Sequence, residues 1–83
     1  MKAIITKYHG PSNVKGSRVS AFDGDNRVIL SWDNALNSDE NHRRAAYALR
    51  DKLNWKGELI GGHTKHSMVW VFTTRYDYYN ITR

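Results

Sequence analysis

The feature that most constrains this chain is one amphipathic helix in a sequence whose other regular segments favour β-strands. Its apolar residues recur at i, i+1, i+4 and i+8 and form a single narrow stripe. The stripe consists of Ala45, Ala46, Leu49 and Leu53. A stripe this narrow is buried only against another layer, and its alanines allow close approach. We therefore expect the helix to pack on a sheet.

The limits of the helix are also marked in the sequence. Asn37-Ser38 supplies an N-cap, and Asp39 and Glu40 suit the positive end of the helix dipole. Gly57 lies past the last turn and is typical of a helix end.

Three β-rich runs precede the helix, at residues 3–8, 16–22 and 27–32. Gly10-Pro11 ends the first run, because proline lacks the amide that a strand ladder needs. Asp-Gly in residues 23–26 predicts a hairpin between the other two.

After the helix, Gly61-Gly62 is interpreted as a break, and residues 67–73 are apolar on both faces, as an interior strand requires. The predicted fold is α+β, a small antiparallel sheet of about four strands in the order β-β-β-α-β, with one helix on one face. The pattern leaves open whether one or two strands follow the helix. Residues 1–73 form the single domain. Residues 74–83 form a tyrosine-rich C-terminal extension, whose conformation the pattern leaves open between flexible and ordered.

Composition narrows the function. The chain has 83 residues, enough for one domain, and no cysteine, which excludes disulfides and thiolate metal sites. No apolar run has the length of a signal sequence or a membrane span. We expect a soluble cytoplasmic protein that does not bind membranes.

The charges are segregated along the chain, whose net charge is +5. Residues 1–20 carry four basic side chains and no acid, residues 21–41 carry five acids against one base, and residues 42–83 carry eight bases against three acids. This distribution suits one basic face and one acidic edge, which would steer an anionic partner. It also fits an ordinary basic protein with no such partner.

The opening stretch KYHGPSNVKGSRV, residues 7–19, is basic and contains no acid. Lys7, Lys15 and Arg18 could neutralise phosphates while nearby amides and hydroxyls contact their oxygens. The stretch matches neither a Walker loop nor a dinucleotide fingerprint. The alternative is a strand connection whose Gly, Pro and Asn serve turn geometry.

A second candidate surface lies on the helix, where Arg43, Tyr47 and Arg50 recur opposite the apolar stripe. An aromatic ring between two arginines suits a stacked base with flanking phosphates. It suits a protein partner equally well, and it also fits a plain solvated face.

The sequence offers no strong case for catalysis or metal binding. His63 and His66 are spaced i, i+3 but have no acid near them, and His42 is in line with the apolar stripe and so should border the core. A domain this small seldom encloses an active site. We expect no enzyme activity, no cofactor and no metal.

Three segments carry a resemblance: TKYHGPSNVKGSRV, NALNSDENHRRAAYALRDKLNW and GELIGGHTKHSMVWVF. Together they resemble a family of small uncharacterised proteins of bacteria, their mobile elements and phages, over residues 6 to 72. The resemblance implies no activity, cofactor or catalytic residue. It implies that residues 73–83 are an extension particular to this chain.

The leading hypothesis is a small non-catalytic module that binds nucleic acid or a nucleoprotein through a basic surface. Its contact residues are Lys7, Lys15, Arg18, Arg43, Tyr47 and Arg50. The alternative is a phage or mobile-element protein that inhibits or adapts a host protein complex, such as a defence complex. Its anchors would be aromatic residues, namely Trp32, Trp55, Tyr76 and Tyr78.

Overall fold

The computed structural model describes residues 3–12 and 16–73. These residues form five strands and one helix. In chain order the elements are β1 (Ala3–His9), β2 (Arg18–Phe22), β3 (Arg27–Ser31), α1 (Ser38–Lys52), β4 (Leu59–His63) and β5 (Met68–Phe72). The predicted extension over residues 74–83 lies outside the described part.

The strands form one antiparallel sheet in the order β3-β2-β1-β5-β4, and α1 packs on one of its faces. The α+β class and the single covering helix are therefore confirmed. The β2–β3 hairpin forms around residues 23–26, where Asp23 Oδ1 accepts hydrogen bonds from the amides of Asp25 and Asn26 at 3.2 and 2.8 Å.

The strand count differs from the prediction. Gly61-Gly62 does not break the chain but lies inside a fifth strand, β4. Gly61 is paired directly with Trp70 of β5, and a Cβ at Gly61 would lie 2.7 Å from ring carbons of Trp70. The glycine is needed because the indole lies across its backbone, and the observed order is β-β-β-α-β-β.

The core lies between α1 and the helix-facing side chains of the sheet. Ile4, Val19 and Leu49 are fully buried there, and Ala45 and Ala46 bring the helix close to the strands. His42 borders this core as predicted and is 6% exposed.

A buried polar chain joins the helix to the sheet. The indole N–H of Trp70 donates to Thr6 Oγ1 at 3.0 Å, and the same hydroxyl shares a 2.7 Å hydrogen bond with Nδ1 of His42. The two bonds join residues that are 36 and 64 positions apart in the sequence, and they satisfy these polar atoms away from water.

The helix begins as the sequence predicts. The side chain of Asn37 accepts from the Glu40 amide at 2.8 Å, and Glu40 Oε1 accepts from the Asn37 amide at 3.2 Å, which completes a capping box. The end of the helix differs from the prediction, because Asn54, directly after the C-cap Leu53, takes the left-handed conformation there, and Gly57, which also has a positive φ, lies three residues further on. The amides of Asn54 and Trp55 donate to the Asp51 and Arg50 carbonyls.

The helix covers only one face of the sheet, and no described helix or strand covers the other. We call this second face the open face. In the described residues the helix α1 is not long and apolar enough to cross a membrane.

Candidate functional site

The basic side chains of the first three strands converge on the open face. Within β1, Lys7 and His9 alternate with the helix-facing Thr6 and therefore share this face. The hairpin register then sets Arg18 opposite both His9 and Ser31. We call the group Lys7, His9, Arg18 and Arg27 the basic patch.

Between these cations the open face carries serine and apolar groups. Lys7 is paired with Ser20, which in turn is paired with Ile29 of the edge strand. Phe22 is paired with Arg27, whose guanidinium carbon lies 5.9 Å from the centroid of the phenyl ring. The open face thus combines the positive charge of the basic patch with one half-buried aromatic ring, that of Phe22.

His9 reports on the charge around it. Its Nε2 shares a 2.8 Å hydrogen bond with the hydroxyl of Ser20. Burial, followed by the positive charges of Arg18, Arg27 and Lys7, lowers the pKa of His9 below its ordinary value. Burial and these positive charges therefore favour the neutral form of His9 in the free protein.

Acidic residues are kept off the sheet. None of the five strands contains aspartate or glutamate. The acids of the described residues lie in the hairpin turn, in the loops and on the helix. The basic patch consequently has no carboxylate beside it on the strands to neutralise its positive potential.

A depression of about 500 Å³ adjoins the patch at the end of β2 and β3. It is lined by Gly16, Ser17, Arg18, Ser31, Trp32 and Asn34. The Trp32 amide donates to the Ser17 carbonyl at 3.0 Å, and the hydroxyls of Ser17 and Tyr8 lie 3.1 Å apart. These bonds extend the hairpin ladder and fix one wall of the depression, which Arg18 shares with the patch.

The six residues predicted to contact a partner do not form one surface. Lys7 and Arg18 lie on the open face, whereas Arg43, Tyr47 and Arg50 lie on α1, which packs on the opposite face. Lys15 lies outside the described residues. The two candidate surfaces of the sequence are therefore separated by the thickness of the sheet.

The helix residues are largely engaged within the protein. The hydroxyl of Tyr47 accepts a hydrogen bond from the Leu59 amide at 3.0 Å, which ties the helix to β4. Arg50 donates to the Gly57 carbonyl at 2.7 Å and pairs with Asp51 at 2.8 Å. The guanidinium carbons of Arg50 and Arg43 lie 4.4 and 5.3 Å from the Tyr47 ring centroid, and of the two arginines only Arg43 is exposed.

The aromatic anchors of the alternative hypothesis are distributed differently. Trp32 and Trp55 are half-buried and pack against the core, where Trp32 meets the Tyr8 ring edge-on at 4.9 Å. Tyr76 and Tyr78 lie outside the described residues. The exposed large hydrophobic residues of the strands are instead Tyr8, Ile29 and Ile60.

Of the two histidines considered for metal binding, His63 has a carboxylate partner. His63 Nε2 lies 3.0 Å from Asp39 Oδ1 at the start of the helix, and both side chains are exposed. Among the described residues no group of three or more potential ligands could hold a metal ion.

Sequence reasoning missed His9, Phe22 and Arg27 as members of the site. Two signals in the sequence could have identified them. Lys7 and His9 are two positions apart and so share a strand face, and the hairpin turn sets Phe22 opposite Arg27. The sequence does not show on which face of the sheet the helix packs, and this decides which residues lie on the open face.

No family model, curated protein or solved structure matches the chain.

Proposed function

We propose that the protein is a small non-catalytic module that binds nucleic acid, alone or within a nucleoprotein, through the basic patch on its open face. The observation that carries the proposal is the placement of Lys7, Arg18 and Arg27 on one face of three strands that contain no acid. Such a surface is suited to phosphate groups, which dominate the affinity of proteins for nucleic acids.

The remaining groups of the open face are suited to single-stranded nucleic acid. Phe22 offers a ring to a base, and Arg27 beside it can contact the adjoining phosphate. The hydroxyl of Ser31 and the depression beyond Arg18 continue the polar surface toward the strand ends. Arg43 on the far side of the molecule is not required for this mode of binding.

The expected setting is the cytoplasm of a bacterium that carries a phage or mobile element, as the sequence resemblance implies. The second candidate function, binding of a host protein complex, is favoured by the apolar part of the open face. Ile60 and Ile29 are 59% and 48% exposed there, one on each edge strand, and each offers an apolar side chain to a protein partner.

The proposal is tested by the salt dependence of binding to a fluorescein-labelled single-stranded oligonucleotide, followed by anisotropy. Replacing Arg18 and Arg27 by glutamine should weaken binding at low salt. It should also make the slope of log affinity against log salt shallower by about 1.4, because each lost contact to a phosphate of a single strand removes about 0.7. Circular dichroism checks that the variant is folded.

The matched control replaces Arg43 and Lys56 by glutamine, which removes the same charge from exposed sites away from the open face. Its slope should equal that of the wild type. A loss of slope in the control but not in the test variant would move the site to the helix. Absence of binding at low salt would reject nucleic acid, and a pull-down from nuclease-treated lysate would then test the protein partner.

A further inference from the structure

The two edges of the sheet are treated differently by the rest of the chain. At the β3 edge, Arg27 and Ser31 turn their carbonyls away from β2, and both are capped by helix side chains. Lys52 Nζ donates to the Arg27 carbonyl at 3.1 Å, and Arg44 Nη2 donates to the Ser31 carbonyl at 2.6 Å. Two basic side chains from α1 thus lie along this edge and hinder another strand from pairing there.

The β4 edge is capped at only one end. The Thr73 amide donates to the Glu58 carbonyl and the Thr64 amide donates to the Ser67 carbonyl, so even-numbered residues of this strand face β5. Odd-numbered residues therefore turn their main-chain groups outward. Of these, the Leu59 amide donates to Tyr47, whereas Gly61 and His63 find no outward partner within the described residues.

The composition of β4 leaves this edge open. The strand LIGGH contains no proline, lysine, arginine or acid, which are the residues that usually prevent edge pairing. Ile60 is 59% exposed on it, the largest exposed fraction among the large apolar side chains of the described residues. A Cβ at Gly62 would meet no atom within 4 Å, so packing inside the protein does not require a glycine at that position.

We propose that a second copy of this chain pairs with the β4 edge, antiparallel, about a two-fold axis between the two Gly62 residues. In this register Gly61 of each copy exchanges main-chain hydrogen bonds with His63 of the other. The Tyr47 contact to the Leu59 amide stays intact, because Leu59 would face residue 65, beyond the end of the partner strand. The free donors and acceptors of both copies are satisfied together.

The side chains near this axis are complementary. Ile60 comes opposite Thr64 of the other copy and can lean over the bare Gly62 positions, which covers the exposed apolar side chain. Glu58 of one copy comes near the β4–β5 turn of the other copy, which carries Lys65 and His66, and all three side chains are exposed. Opposite charges therefore meet at both ends of the pairing. The favourable charges and the two-fold register favour a second copy over an unrelated strand.

The dimer would have one continuous sheet with both open faces on the same side, because the axis is perpendicular to the sheet. It stands independently of the nucleic-acid proposal. If both proposals hold, the two basic patches lie on one surface of the dimer, and a long single-stranded nucleic acid can contact them together.

Sedimentation velocity over a range of protein concentrations tests the dimer, and wild type should show a concentration-dependent shift from monomer to dimer. Gly62→Lys places like charges directly opposite each other and should remove the dimer, as should Gly62→Glu. An equimolar mixture of the two variants should restore it, because lysine then faces glutamate. The monomer has room for either side chain at this position.

The control is Ile29→Lys, which adds the same charge to the capped β3 edge and should sediment like wild type. A wild-type protein that stays monomeric up to its solubility limit would overturn the proposal. So would Gly62→Lys protein that dimerises like wild type, or a mixture of the charged variants that stays monomeric. If the β4 edge instead binds a β-strand of an unrelated protein, the purified wild type would stay monomeric, so the experiment distinguishes the two cases.

Discussion

At the residue scale, Arg43 and Arg50 show that two arginines on the same helix face can differ in role. Both stack on Tyr47, but Arg50 also holds the Gly57 carbonyl and is 23% exposed at its side chain. Its guanidinium thereby fixes the connection between α1 and β4. Arg43 has only the ring contact in the described contacts of its side chain.

Arg50→Ala should therefore lower the free energy of unfolding by about 1 to 3 kcal/mol, because it removes hydrogen bonds to a charged donor and the stacking on Tyr47. Arg43→Ala should change it by less than about 0.5 kcal/mol. Urea denaturation of the two variants measures both values. Equal effects would show that the Gly57 contact contributes nothing.

The adjacent glycines of β4 make a second matched pair. Gly61→Ala puts a methyl group 2.7 Å from ring carbons of Trp70, so the indole must shift, and we expect a loss of about 1 to 3 kcal/mol. Gly62→Ala meets open space and should be neutral or stabilising by up to about 1 kcal/mol. Thermal unfolding at low protein concentration, where the monomer prevails, measures both. A Gly61→Ala variant as stable as wild type would show that Trp70 does not require the glycine.

At the element scale, the contact between α1 and the sheet depends on a neutral His42. Burial lowers the pKa of His42 below the ordinary 6.5, and this outweighs the opposing effect of Asp39. The unfolded chain consequently binds a proton at a higher pH than the folded protein does. The stability contributed by neutral His42 is complete above about pH 7 and is lost as the pH falls below 6.5 toward the folded pKa.

We therefore expect the free energy of unfolding to fall between pH 7.5 and pH 5.5, as measured by urea denaturation at several pH values. His9 acts in the same direction, since its pKa is also lowered. His42→Gln should make the decline shallower, because one of the two responsible groups is removed. A stability that is flat over this range would contradict the role of a neutral imidazole.

The elements themselves were largely predictable because their signals are local. The cap at Asn37 fixed the helix start, and the Asp-Gly turn fixed the hairpin. That β4 continues through Gly61-Gly62 was not predictable, because a glycine pair resembles a turn until Trp70 is known to lie across it. The helix end was expected at Gly57 because glycine is the usual residue in a left-handed conformation after a helix, whereas Asn54 takes that conformation here.

At the scale of the whole molecule, the site depends on which face of the sheet the helix covers. Sequence reasoning found Lys7 and Arg18 but grouped them with Arg43, Tyr47 and Arg50, which the sheet separates from them. Register and packing decide that arrangement, and both arise from contacts distant in sequence. The hydrogen bond of the Tyr47 hydroxyl to the Leu59 amide is of this kind.

The most direct test of the central claim is an NMR titration of the ¹⁵N-labelled protein with a short single-stranded oligonucleotide at low salt. If the open face binds nucleic acid, amide shifts should change along β1, β2 and β3, centred on Lys7, Arg18 and Arg27. The amides of Arg43 and its neighbours on the exposed side of α1 should stay unchanged. Shift changes confined to α1, or none at saturating oligonucleotide, would contradict the account.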